Sequence, residues 1–71
     1  MKDYTWKWDK SDAWENDTCG SEEECIVDAI ACGYKQGDKI TIGEIKDGYI
    51  VNAYTTKIKR LFVEKFKEDK Q

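Results

Sequence analysis

The chain has 71 residues, of which 39% are hydrophobic and 38% charged, and its net charge is −3. That length holds one domain, residues 1–71, and so small a domain buries only about 60% of the surface its unfolded chain exposes, too little to pack around a large cofactor. Three Trp, four Tyr and two Phe, with mixed charge signs and no Pro, argue against a disordered tail.

Tyr4-Thr5-Trp6-Lys7-Trp8 alternates strictly and reads as a half-buried strand, with Tyr4, Trp6 and Trp8 on one face and Thr5 and Lys7 on the other. Residues 9–20 lose periodicity and collect Asp, Asn and Gly, which predicts a loop with Trp14 pinned back onto the core. Ser21-Glu22-Glu23-Glu24 has the capping-box form, and three glutamates suit the positive end of a helix dipole. The helix is expected over Glu22–Cys32, burying Cys25, Ile26, Ala29 and Ile30, with Gly33 as its left-handed C-cap.

Gln36-Gly37-Asp38 turns the chain into Lys39–Ile45, a strand in which Ile40 and Ile42 share a face and Gly43 marks a bulge or a close backbone approach. Asp47-Gly48 then poses a choice. It suits the two-residue turn of a hairpin returning over Tyr49–Tyr54. Against that, Val51, Tyr54, Ile58, Leu61, Phe62 and Phe66 fall within an arc of about 140° at 100° per residue, an amphipathic helix face. The helical reading is preferred, over Ala53–Glu68 with Asn52 as N-cap, leaving Tyr49 and Ile50 as a brief strand. The fold class is therefore α+β, a small antiparallel sheet with two helices on one face in the order β-α-β-(β)-α.

The chemistry-bearing residues are few. With no histidine, a Ser-His or Cys-His pair cannot form within the chain. Cysteines 19, 25 and 32 contain no Cys-x-x-Cys pair, and Cys25 and Cys32 would lie roughly 10 Å apart along a helix, beyond disulfide reach. They read as structural thiols of a reducing compartment, and Cys19 beside Glu22, Glu23 or Cys25 is only a chance-level metal set. No catalytic residue, metal or cofactor is assigned, and catalysis would require a site assembled between copies. Val63, apolar and off the expected core face of the last helix, hints at a homodimer. The start carries no apolar leader core, and the longest apolar run, Ala29–Cys32, falls far short of the roughly 20 residues that span a membrane, so a cytoplasmic protein is expected.

Charge placement says more. Residues 1–24 hold eight acidic and three basic side chains, whereas residues 49–71 hold three acidic and six basic. Asp12, Glu15, Asp17, Glu22 and Glu23 form the candidate partner-binding patch, an acidic surface able to dock on a basic protein face. Lys59, Arg60, Lys67 and Lys70 form an alternative basic flank that would contact phosphates. For each patch the competing reading is a solvated surface, and the net negative charge ranks nucleic acid second.

Gly33-Tyr34-Lys35-Gln36-Gly37-Asp38, followed by a strand ending in Ile42-Gly43-Glu44, resembles a segment of small uncharacterised bacteriophage and prophage proteins, over about Glu22–Ile45. Those proteins have an acidic helix, a Gly-Tyr-x-x-Gly-Asp turn, a strand and a C-terminal helix. This chain departs after Glu44, where its last helix is basic. The resemblance implies a phage origin more than a role. Taken with the acidic loop and the lack of catalytic residues, it leads to the expectation of an accessory protein that binds a host or phage protein, in the style of anti-CRISPR and other anti-defence inhibitors.

Overall fold

A computed structural model describes residues 2–15 and 18–69, with Phe66, Glu68 and Asp69 described by backbone alone. The elements are β1 (Asp3–Trp8), α1 (Glu22–Ala31), β2 (Lys39–Lys46), β3 (Tyr49–Lys57) and α2 (Arg60–Asp69). The strands form one antiparallel sheet in the order β1-β2-β3. α1 lies across β1 and β2, and α2 packs on α1.

α1 follows its sequence signals closely. The Ser21 side chain accepts the Glu24 N–H at 3.2 Å. The Glu24 carboxylate reaches back one residue further than the usual capping box, accepting the Gly20 N–H at 2.8 Å. At the other end Tyr34 N–H donates to Ala29 C=O and Gly33 N–H to Ile30 C=O, the paired bonds of a Schellman cap, with Gly33 at φ 105°. Cys25, Ile26 and Ala29 are buried as expected, and Ile30 is half-buried.

The core gathers Trp6, Cys19, Cys25, Ile26, Ala29, Ile40, Ile42 and Ile58 between α1 and one face of the sheet. Trp6 is fully buried, donates its indole N–H to Asp28 of α1 at 2.8 Å, and meets the Tyr34 ring edge-on at 5.5 Å. Trp8, expected on the same buried face, is 42% exposed at the end of the sheet.

The second face of β1 is not the open face its alternation suggested. Thr5 is 3% exposed and donates to the Glu15 carbonyl at 2.9 Å. The loop after β1 doubles back along that strand's outer edge: Glu15 N–H donates to Trp6 C=O, and Cys19 exchanges two backbone bonds with Tyr4. It also lays Trp14 over Gly43. A Cβ on Gly43 would stand 2.3 Å from Ile50 Cγ2 and 3.1 Å from Trp14 Cη2, so this position accepts no side chain without displacement.

The largest correction concerns residues 53–59. β3 continues to Lys57 and α2 begins at Arg60, not at Ala53. Asp47 and Gly48 close a two-residue hairpin, both at positive φ as a type I′ turn requires. Asn52, expected as an N-cap, is the left-handed residue (φ 54°) of a bulge opposite Gly43. The bulge explains the misreading. Val51 pairs with Glu44 and Tyr54 with Ile42, so two residues three apart land on one sheet face and counterfeit a helical step. In α2, Val63 is half-buried against the core, which removes the hint of a dimer drawn from it, while Leu61, expected inside, is 71% exposed. Phe66, placed by the sequence on that apolar face, lies outside the described side chains.

Two substitutions test these contacts. Gly43→Ala should cost about 1–3 kcal/mol by overpacking, read as a fall in Tm of roughly 4–8 °C per kcal/mol. Ile50→Ala should recover part of that loss, and strictly additive losses would show that the Ile50 clash is not the cause. Asp28→Ala should cost about 1–3 kcal/mol by orphaning the buried indole N–H, with Asp28→Asn costing less because it keeps an acceptor. Equal losses would rule out the hydrogen bond as the reason.

Candidate functional site

Two members of the predicted acidic surface, Glu22 and Glu23, have partners within the molecule while remaining exposed. Glu22 accepts the Tyr54 hydroxyl, Glu23 pairs with Lys65 at 3.4 Å, and Glu24 caps Gly20. Asp12 and Glu15 are exposed on the loop that covers β1, and Asp17 lies outside the described residues. Of the basic flank, Arg60 is bound to Glu64 at 2.9 Å within its own helix. Lys59 and Lys67 are exposed, and Lys70 lies outside the described residues. Neither patch is thus a continuous band of uncommitted charge.

Among the described residues, shallow depressions lie beside the sheet. One, of about 410 Å³, is lined by Lys2, Tyr4, Gly20, Ser21, Glu22 and Glu23. Another, of about 360 Å³, lies by Trp8, Asp9, Lys10 and the Gly37–Lys39 turn, with the Lys10 ammonium 6.0 Å from the Trp8 ring centre. Among the described residues no group of three or more Cys, Asp or Glu side chains is placed to hold a metal ion, and no helix is long and apolar enough to cross a membrane.

Cys19 and Cys25 are buried side by side in the core, and Cys32 is exposed at the end of α1. Burial, reinforced by a hydrogen bond with the Cys19 thiol, pushes the Cys25 thiol far above its ordinary value. Such a thiol is inert, because the thiolate is the nucleophile. The Tyr54 phenol is also held above its ordinary value, by burial first and then by its bond to Glu22. Both shifts have structural causes.

The feature that the sequence reading cut short is β3, given there as a brief strand at Tyr49 and Ile50 and extending in fact to Lys57. Of the large hydrophobic side chains left exposed, Tyr49 (75%), Ile50 and Tyr54 (41%) belong to this one strand. β3 is also the uncovered edge of the sheet. Ile58 N–H donates to Asp38 C=O, and the register places Ile40 opposite Thr56 and Ile42 opposite Tyr54. Antiparallel alternation then turns the backbone groups of Thr55 and Lys57 away from β2. Among the described residues no backbone group bonds to them, whereas the outer edge of β1 is bonded by Glu15 and Cys19. The signal available in the sequence was the Asp47-Gly48 turn, which implies a returning strand and hence an edge.

No protein-family model, curated protein or solved structure matches this chain. The reading of function therefore rests on the surface.

With iodoacetamide, Cys32 should react readily in the native protein, and Cys25 only as fast as the core opens. Equal labelling rates would show that Cys25 is not the sealed thiol described above.

Proposed function

We propose that this protein acts by binding another protein, as a small phage-type accessory factor that occupies and blocks a host component. The observation that carries this reading is the exposure of Tyr49 and Tyr54 on one face, and of Ile50 on the other, of the uncovered strand β3. Exposed apolar side chains gathered on one element mark interaction surfaces more often than scattered ones do. The phage-like segment from Gly33 to Glu44 supports the accessory role and the anti-defence style of action. The internal commitments of Glu22 and Glu23 move the favoured contact surface from the acidic patch to β3.

A small nucleic-acid-associated regulator working through the basic flank is the second reading. The Arg60–Glu64 pair weakens it, because it leaves fewer uncommitted cations on α2.

Affinity capture from host lysate tests the first reading with three baits: the native chain, Tyr49→Ser with Tyr54→Ser, and Asp12→Lys with Glu15→Lys. A partner retained in stoichiometric amount by the native and acidic-loop baits, and lost by the β3 bait at unchanged Tm, is the expected result. Loss with the acidic-loop bait alone would return the site to Asp12 and Glu15. No retained protein, together with salt-sensitive retention on DNA or RNA abolished by Lys59→Ala and Arg60→Ala, would replace the reading with the second one.

A further inference from the structure

The edge of β3 has a chemical preference as well as an opening. Beyond the Asn52 bulge, Ala53–Lys57 runs in regular register with β2. The unbonded edge groups of Thr55 and Lys57 are spaced as an incoming strand requires. On the sheet face opposite α1, Lys57 stands directly across from Lys39, and Thr41 from Thr55, whose hydroxyls are 3.0 Å apart. Thr41 is also aligned with Lys7. Like charges directly opposite on neighbouring strands destabilise a sheet. Among the described residues, neither Lys39 nor Lys57 takes part in an ion pair. The carboxylate contacting this strip among the described residues is Asp9, whose Oδ1 accepts from Thr55 Oγ1 at 3.4 Å. Lys7 is already engaged, donating to the Ser11 carbonyl at 2.6 Å and lying over the Trp14 ring, so the cations left facing Asp9 are Lys39 and Lys57. The other face of the same segment presents Tyr54 and Thr56, with Glu22 already bonded to Tyr54.

We infer that Ala53–Lys57 receives an extended segment of a partner protein as a fourth strand, in which acidic side chains opposite Thr55 and Lys57 alternate with apolar side chains beside Tyr54 and Thr56. Main-chain bonds to the edge supply the docking geometry, and side-chain alternation supplies the choice of sequence. The acids relieve the Lys39–Lys57 repulsion, and the apolar residues cover the exposed part of Tyr54 away from Glu22. The bulge at Asn52 ends the site, because an inserted residue breaks the ladder and twists the edge. This inference rests on the protein-binding reading above and specifies its mode.

The probe is a capped peptide alternating Val and Glu, added to the full chain with amide exchange followed by NMR. Near saturation, exchange of the Thr55 and Lys57 amides should slow about tenfold, while Tyr54 and Thr56, already bonded to β2, should change little. A peptide N-methylated on its edge-facing amides, or Thr55→Pro, should abolish the effect, since Pro removes an outward N–H that an edge strand can spare. Should Thr55→Pro fail to fold, the N-methylated peptide carries that arm alone. Lys57→Glu should invert the preference toward a Val-Lys peptide. No protection, equal binding of the N-methylated peptide, or equal binding of the Val-Lys peptide by the native chain would overturn the inference. So would concentration-dependent protection of the same amides without peptide, which would make a second copy the occupant, or their protection by a single-stranded oligonucleotide. Lysate capture that depends on Tyr49 and Tyr54 alongside a negative peptide result would sink strand addition and leave the binding function standing. The reverse outcome would leave the edge site without a blocked host protein.

Discussion

The indole of Trp6 is the point on which the rest of the structure depends. It sits on the first strand, yet its N–H is answered by Asp28 on α1 and its ring by Tyr34 just past the helix cap. One side chain therefore fixes the height of α1 over the sheet and the rotation of the helix about its axis. It also fixes the exit path of the chain toward β2. A buried donor without its acceptor is costly, so the geometry is specified by the polar atom as well as by the apolar area. The left-handed Gly33 cap then becomes intelligible as part of the same device, since it delivers Tyr34 to the indole.

From that anchor the two faces and two edges of the sheet acquire different fates. One face is closed by α1, and half of the other is closed by Trp14 lying on a glycine. One edge is bonded by the chain's own loop. What remains is the outer edge of β3 and the polar strip beside it. An edge that is neither paired nor covered is a liability that proteins usually blunt. Here it is interrupted by the Asn52 bulge and carries Lys57 at its end, two of the features by which edges are blunted.

The sequence was legible wherever local signals agreed with one another. Ser21, the glutamates and Gly33 frame α1 to within a residue, and Gly43 signals a bulge or a close approach, of which the structure holds both. The reading failed at β3 because an inserted residue shifts the phase of a strand by one, and Val51 and Tyr54 then mimic helical spacing. It also failed at Thr5, where a polar residue is buried by a loop whose return path has no periodicity to announce it. Of the candidate patches, composition located the charges but not their partners. Whether Glu23 reaches Lys65 depends on how two helices separated in the sequence by the β2–β3 hairpin come together, which no local pattern encodes.

The pairing of β1 with β2 joins Asp3 to Ile45, so β1 has no sheet partner until the chain through Ile45 exists. The β2–β3 hairpin closes through two residues and forms from neighbours, whereas β1 must close a long loop to join it. In the interval an aromatic strand with three large rings is exposed in the growing or refolding chain. Charged residues flanking such a strand keep it from associating with others of its kind. Asp9, Asp12 and Glu15 follow that strand directly in the sequence, so the segment most exposed before β2 arrives is also flanked by charge.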